Sequence, residues 1–276
     1  MKAVVANAIG PYAEVLSLQT VPELELAEGT ALVRVLSAGL AFPDVLVVEG
    51  KHMMRRDPPF TPGQEVCGQV VAIGEGVTSL AVGQHVFGPC LTGGLAEFAL
   101  VSADDCFKAP SGMDPHVAAG FELNYGTSWH GLVDLAALRR DETLLVLGAS
   151  GGVGLSAIAI GVALGARVVA AASSEARLDA CRQAGAHVAV SYAGGGKALK
   201  AALADAGVYG SWWESPLARP GLTWRAMRLR WLVTLLQKSS SPPRTDASAV
   251  AHHPPPGTAR WTWCSTRSAA RCRRCR

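Results

Sequence analysis

The stretch Thr143-Leu-Leu-Val-Leu-Gly-Ala-Ser-Gly-Gly-Val-Gly154 decides the fold. Thr143 to Leu147 is a continuous, nearly all apolar run, as a strand buried on both faces requires. Glycines follow at 148, 151, 152 and 154, and Leu155 to Leu164 is an apolar helix stopped at Gly165, a residue suited to end a helix. Arg167 to Ala172 gives a second strand, Ser174 to Ala184 a second helix ended by Gly185, and His187 to Val190 opens a third strand. Strand and helix alternating at this spacing predict a parallel sheet covered by helices.

Toward the N-terminus the grammar differs. Residues 1–113 carry short β-like runs, among them Ala31–Val35, Val66–Ile73 and Ala96–Val101, broken by turn signals such as Gly74-Glu-Gly76 and Val82-Gly-Gln84. This pattern predicts an irregular, mostly antiparallel, barrel-like domain. Asp114-Pro115 then opens an Ala-rich helix with an N-cap followed by proline at the first helical position, and a second helical stretch is expected at about Thr127–Ala137. The division expected is therefore a β-rich domain at 1–113, an α/β domain at 114–207 and a separate segment at 208–276.

Charge marks that last boundary. The chain of 276 residues has a net charge of +3. Residues 1–207 hold 13 Lys/Arg against 20 Asp/Glu, whereas residues 208–276 hold 12 against 2 and six of the seven tryptophans. An acidic body thus joins a basic tail of foreign composition. Hydrophobic residues at 49% exclude a mostly disordered chain, and the absence of an 18-residue apolar run argues against a membrane span. Met1 to Ala6 reads as an edge strand and not as a signal peptide. Cys67, Cys90, Cys106 and Cys181 lack CxxC spacing, so reduced thiols and a cytoplasmic protein are expected. Cys272 and Cys275 sit in an Arg-rich tail without strand–helix context and are not read as a redox or zinc motif.

A glycine turn between a buried strand and a helix suits a pyrophosphate: the backbone can come close, and the helix start offers free N–H groups and a positive dipole end. Strict GxGxxG is not met, because Ser150 and Val153 occupy two of its places. Ser150, Gly151, Gly152, Val153 and Gly154 are the candidate phosphate turn. The end of the second strand discriminates between cofactors. An acid there holds a ribose 2′-hydroxyl, whereas a cation with hydroxyls holds a 2′-phosphate. Ser173, Ser174 and Arg177, joined by Tyr192 after the third strand, favour NADPH. The competing assignment makes Glu175 the ribose acid and leaves Arg177 a solvated charge.

These residues, with Phe42-Pro-Asp-Val-Leu46, Pro59-Phe-Thr-Pro-Gly-Gln-Glu65, Tyr125-Gly-Thr127 and the Gly68-x-Val70 and Gly74-x-Gly-Val77 spacings, resemble the zinc-free quinone oxidoreductases (zeta-crystallin-like) of the medium-chain dehydrogenase/reductase superfamily. The resemblance covers residues 1–207. It implies an α/β protein with a GroES-like catalytic domain and a Rossmann domain. It implies NADPH-dependent hydride transfer to a quinone, or to an enone or 2-alkenal as an enoyl reductase would do. It also implies a cofactor contact from Thr127, a pocket residue at Asp44, and homodimers through the edge of the Rossmann sheet. Zinc relatives carry Gly-His-Glu where this chain has Gly63-Gln-Glu65, and they supply an early cysteine, whereas none occurs here before Cys67. Metal-independent chemistry is therefore expected.

Two departures touch the site. Ala41 stands where the family commonly has Asn, and His52 stands where it commonly has Tyr. His52 is a candidate proton donor, with a surface loop histidine as the alternative; Asp44 is a pocket carboxylate or a loop cap. Positioning for hydride transfer is the expected main source of catalysis.

The resemblance also implies three further parallel strands after residue 207, where this chain reads Gly210-Ser-Trp-Trp213. Tryptophan has one codon, TGG, and glycine-rich DNA read out of frame yields Trp, Arg and Pro. A frameshifted or aberrant C-terminus after about residue 208 is the expectation, with only Leu222–Leu236 able to be helical. The Rossmann sheet is then incomplete, with an unpaired apolar edge. The chain is an oxidoreductase or an inactive truncated fragment. A nucleic-acid-binding tail is the less favoured alternative, since its arginines lack regular spacing.

Overall fold

The structure is a computed structural model that describes residues 1–208 and the strand Thr234–Lys238. The Trp-rich run at 210–213, the first part of the expected helix at 222–236 and the cysteines at 264, 272 and 275 lie outside the described residues. The chain divides into two compact units: Met1–Leu123, and a second that begins at Asn124.

The first unit is built on a five-stranded antiparallel sheet. Its strands are β3 (Thr30–Gly39), β4 (Glu65–Ile73), β5 (His85–Pro89), β6 (Phe98–Ser102) and β7 (Phe107–Lys108), in the order β6-β3-β4-β5-β7. The N-terminal strand β1 (Lys2–Ala6) pairs with β2 (Leu16–Thr20), and bridges from Ala3 to Ala96 and from Ala6 to Phe60 tie it to the rest. Register shifts between Leu32 and Val33, and between Val35 and Ser37, let the long central strand bend as a barrel wall must. The inward residues Ala31, Val33, Val66, Val70, Val86, Ala99 and Val101 form one buried cluster. Three helices accompany the sheet: α1 (Tyr12–Val15), α2 (Phe42–Val48) and α3 (Pro115–Ala119). Asp114 caps α3 by accepting from the His116 N–H at 2.8 Å. Ala118 and Ala119 of α3 pack with Cys67 and Phe87 of β4 and β5, so this helix belongs with the β-rich unit.

The second unit holds the parallel sheet. Strands β8 (Glu142–Leu147), β9 (Arg167–Ala172) and β10 (Val188–Ser191) lie in the order β10-β9-β8, and each neighbouring pair is parallel. Their residues alternate between two faces. Leu144, Val146, Val168 and Ala170 pack with Ile158 of α5 (Gly152–Ala163) and with Leu178 and Cys181 of α6 (Glu175–Gln183). Leu145, Val169, Ala171 and Val190 pack with Leu203 of α7 (Gly195–Asp205) and with Val208. Both faces are thus covered, as a parallel sheet requires. The helical stretch expected near Thr127–Ala137 begins earlier, as α4 (Glu122–Trp129), and continues as a π-helical segment, His130–Leu135.

The free edge of β8 is where expectation fails. Strand β11 (Thr234–Lys238) pairs with it antiparallel, from Thr234 opposite Val146 to Lys238 opposite Glu142. An unpaired strand edge is a strong template, and a segment of the tail fills it. The same strand shows that residues 234–236 of the stretch expected to be helical are extended instead. Among the described residues, no helix is long and apolar enough to cross a membrane.

Candidate functional site

The glycine turn is shaped by two requirements. Gly148, at φ +65°, occupies the left-handed region and turns the chain out of β8. Close packing fixes the next positions. A Cβ on Gly152 would meet Asn124 Oδ1 at 2.5 Å, and one on Gly154 would meet the Ala149 carbonyl oxygen at 2.6 Å. Gly151 is different, since its nearest neighbour would be the Gly148 oxygen at 3.6 Å, an ordinary contact. A Cβ at Gly151 would therefore meet no steric conflict, while Gly152 and Gly154 seat the helix. Gly151 is also the N-cap of α5 and offers no side chain to the first helical N–H groups. Those donors, with the helix dipole, favour an anion at this position. Ser150 is half-buried beside them, and Val153 lies in the first turn of α5.

A buried hydroxyl pair anchors that turn. Ser128 Oγ lies 2.7 Å from Ser156 Oγ and donates to the Val153 carbonyl at 2.9 Å, while Ser156 Oγ reaches the Asn124 carbonyl at 3.0 Å. Ser128 and Ser156 thus fix α4 to the start of α5. Neither was singled out from the sequence, although a serine inside the apolar run 155–164 is a usable signal. Thr127 is exposed on α4, next to Ser128.

At the end of β9 the predicted phosphate residues come together. Arg177 Nη1 donates to Ser173 Oγ at 2.8 Å, and Ser174 is the exposed N-cap of α6 with no side-chain cap bond of its own. Tyr192 N–H donates to the Ala172 carbonyl at 3.1 Å, which brings the end of β10 beside the end of β9, and the Tyr192 side chain packs on the cluster around Leu145. Glu175, the competing ribose acid, is held by Arg182 at 2.6 Å, and Arg182 also reaches Asp179 at 2.5 Å. The acid is engaged on its own helix while Arg177 points back to Ser173. Glycine turn, helix-start N–H groups and this cation–hydroxyl pair are suited chemically to the phosphates of a nicotinamide dinucleotide.

The first unit holds a pocket of about 160 Å³ between α2 and the segment 54–64. Asp44, in the first turn of α2, lines it and is 5% exposed. Asp44 Oδ2 accepts from the Ala41 N–H at 2.8 Å and Oδ1 from the Gly63 N–H at 3.2 Å. Asp44 is therefore both a pocket residue and a cap that ties α2 to the Pro59–Glu65 segment. Burial raises its pKa above the usual carboxylate value, against the backbone N–H bonds and the Arg56 charge that lower it. Gln64 also lines the pocket, and its buried Nε2 has no hydrogen-bond partner among the described residues.

His52 is not in the pocket lining; its Nδ1 accepts from the Met54 N–H at 3.1 Å. Only its Nε2 is left to donate a proton. The structure does not join His52 to Asp44.

Glu65, at the start of β4, is a buried carboxyl that sequence reasoning used only as part of a motif. Burial pushes its pKa up to about 7, with Glu122 and Asp44 adding like charge, while the Leu123 N–H donates to Oε2 at 3.1 Å. Cys90 is inert: its Sγ lies 3.0 Å from the Gly63 carbonyl, and burial raises its thiol pKa to about 11.

Known proteins are similar to this chain in sequence and fold. Residues 27–111 match the alcohol dehydrogenase GroES-like domain. A quinone oxidoreductase-like protein 2 homolog from Nematostella vectensis is 36% identical over 168 residues, which are 59% of this chain and 46% of that protein. The polyketide synthase GfsB of Streptomyces halstedii is 42% identical over 160 residues, 58% of this chain and 3% of that protein. The crystal structure of a protein from Mycobacterium abscessus, described as a probable oxidoreductase, superposes with a TM-score of 0.70 at 32% identity, covering 76% of this chain and 67% of that one. The quinone oxidoreductase of Thermus thermophilus, solved also in complex with NADPH, gives a TM-score of 0.62 at 34% identity, covering 70% of this chain and 60% of that one. The chain spans about half the length of the quinone oxidoreductase-like relative it matches. The matched β-rich unit, the glycine turn and the Mycobacterium abscessus oxidoreductase, two thirds of which this chain covers at 32% identity, show that the chain belongs to the medium-chain dehydrogenase/reductase oxidoreductases that carry an alcohol dehydrogenase GroES-like domain.

Proposed function

We propose that this chain is an NADPH-dependent oxidoreductase that transfers hydride to a quinone without a metal ion. The observation that carries the proposal is the arrangement at the end of β9. Arg177 is held toward Ser173 at 2.8 Å, and Glu175 is drawn away by Arg182. A cation and hydroxyls in that place favour a 2′-phosphate over a bare ribose hydroxyl.

NADPH, when bound, supplies the hydride. The chain's residues bind and orient. Gly151 and the first N–H groups of α5 take the pyrophosphate charge, Ser150 and Thr127 are further polar contacts on the same unit, and Ser173, Ser174 and Arg177 take the 2′-phosphate with the Tyr192 backbone beside them. In the first unit, Asp44 keeps α2 and the segment 59–65 in register, so that the pocket wall is fixed before a ligand enters. His52 Nε2 is the remaining proton donor nearby in sequence, since Nδ1 is engaged by Met54.

A second reading rests on the 42% identity to a segment of a polyketide synthase: the acceptor is an activated alkene, reduced as an enoyl reductase would. One experiment separates the readings. The purified full chain is given NADPH with 1,4-naphthoquinone in one series and a 2-enoyl thioester in another, and loss of NADPH absorbance is followed. Faster turnover of the quinone is expected; faster turnover of the thioester assigns the second reading. No NADPH oxidation with either acceptor rejects both and leaves an inactive fragment.

A further inference from the structure

The pocket in the first unit has a polarity that its surroundings do not share. Residues 1–123 contain six Lys/Arg against fourteen Asp/Glu. Three of the six cations, Lys51, Arg55 and Arg56, fall within six residues, and both arginines line the pocket. Lys51 is already engaged, with Nζ 2.7 Å from Glu49 Oε2. The arginines are not: among the described residues neither has a carboxylate partner. The one bond Arg56 makes there is to the Leu91 carbonyl at 3.5 Å, a weak one.

Asp44, the single acid in the lining, feels the Arg56 charge but makes no ion pair with either arginine. Its two oxygens are turned to backbone N–H groups of Ala41 and Gly63. Asp57 follows Arg56 in the chain but is not in the lining, and neither is His52. Val47, Met54, Phe60 and Pro62 give the apolar part of the wall, and Thr61 and Gln64 add polar groups. A cavity of about 150 Å³ holds a benzene-sized ring. A pocket of about 160 Å³ therefore takes the ring that bears the substituent, with a fused second ring left outside it. Two adjacent unpaired cations in an acidic unit also focus the field, drawing anions to that one place.

We propose that this pocket selects quinones or enones that carry an anionic substituent, with Arg55 and Arg56 as the specificity-determining residues and the ring seated on Met54 and Phe60. Carboxylate, sulfonate and phosphate share the chemistry that a guanidinium recognises, as bidentate charge-assisted hydrogen bonds. The proposal rests on the hydride-transfer reading above for its catalytic meaning, but its binding claim stands by itself.

The test uses the full chain, the double variant R55Q/R56Q and the charge-retaining R55K/R56K. The acceptors are 1,4-naphthoquinone, its 2-sulfonate and its 2-carboxylate. The ratio of kcat/KM for each anionic acceptor to that for the neutral one is expected to fall by about tenfold in R55Q/R56Q and by far less in R55K/R56K. Added salt is expected to lower the same ratio in the wild type and to leave it flat in R55Q/R56Q. Calorimetric titration with 1,4-naphthoquinone-2-sulfonate supplies a readout that needs no turnover. Saturable binding that weakens in R55Q/R56Q supports the pocket even if hydride transfer is absent. A ratio unchanged by R55Q/R56Q, or sulfonate binding equally tight in the wild type and R55Q/R56Q, overturns it.

Discussion

Replacing Glu65 with Gln should stabilise the protein above neutrality and change it little in acid. Glu65 is 2% exposed, and burial holds its carboxyl in the neutral form up to about pH 7, against an ordinary value of 4.5. A folded-state pKa above the unfolded one means that the folded chain binds the proton more tightly. The stability contributed is fully present below about 4.5 and is lost as pH rises through about 7. At about 1.4 kcal/mol per pH unit, that rise is an order-of-magnitude loss of about 3 kcal/mol by roughly pH 8. Gln keeps the size and an oxygen for the Leu123 N–H at 3.1 Å, but its amide nitrogen cannot accept from the neighbouring Glu122 N–H. That lost bond costs about 1 kcal/mol. E65Q is therefore expected to gain about 2 kcal/mol at roughly pH 8 and to stay within about 1 kcal/mol of the wild type at roughly pH 5. For a chain of this size the gain is a Tm higher by about 4–8 °C. Thermal melts followed by circular dichroism at the two pH values read it directly. A Tm difference that is equal at both, or a less stable E65Q at the higher pH, would refute the reasoning.

Three further outcomes are expected. Arg177→Ala should weaken NADPH by about tenfold and NADH by about twofold at most, because a single exposed charge-assisted contact is removed; equal losses in equilibrium titrations would point to Glu175 as the ribose ligand instead. Gly154→Ala should destabilise by about 1–3 kcal/mol in urea titrations, since its Cβ meets a backbone oxygen at 2.6 Å, whereas Gly151→Ala should fold normally and lose cofactor affinity. Deleting residues 209–276 removes β11 from the edge of β8, and concentration-dependent self-association by light scattering is expected; a monomer at all concentrations would show that the edge needs no cover.

The sequence carried the parallel unit well because its signals were local. Thr143–Leu147 has the apolar continuity of a strand buried on both faces, and Gly165 and Gly185 both sit at positive φ where helices end. The residues at the end of β9 were legible because a fixed distance from the glycine turn defines them. Other features had no local signature. Asp44 was read as a cap or a pocket residue, and only the fold shows it to be both, since Gly63 lies 19 residues away. The Ser128–Ser156 pair spans 28 residues, and each serine alone looks like any small polar side chain in a helix. Helix α7 was not foreseen because the run Gly194-Gly-Gly196 reads as a loop; its apolar positions Leu199, Ala202 and Leu203 find their partners only in the sheet. The antiparallel strand at Thr234–Lys238 was invisible because its pairing is set by the vacant edge of β8 and not by its own composition.

Direct titration of NADPH and of NADH into the purified full chain tests the central claim most closely, because it needs no substrate to be known. The account predicts saturable binding of both, with NADPH tighter by about tenfold or more through the 2′-phosphate contact at Arg177 and Ser173. Absence of binding, or NADH bound as tightly as NADPH, would contradict it.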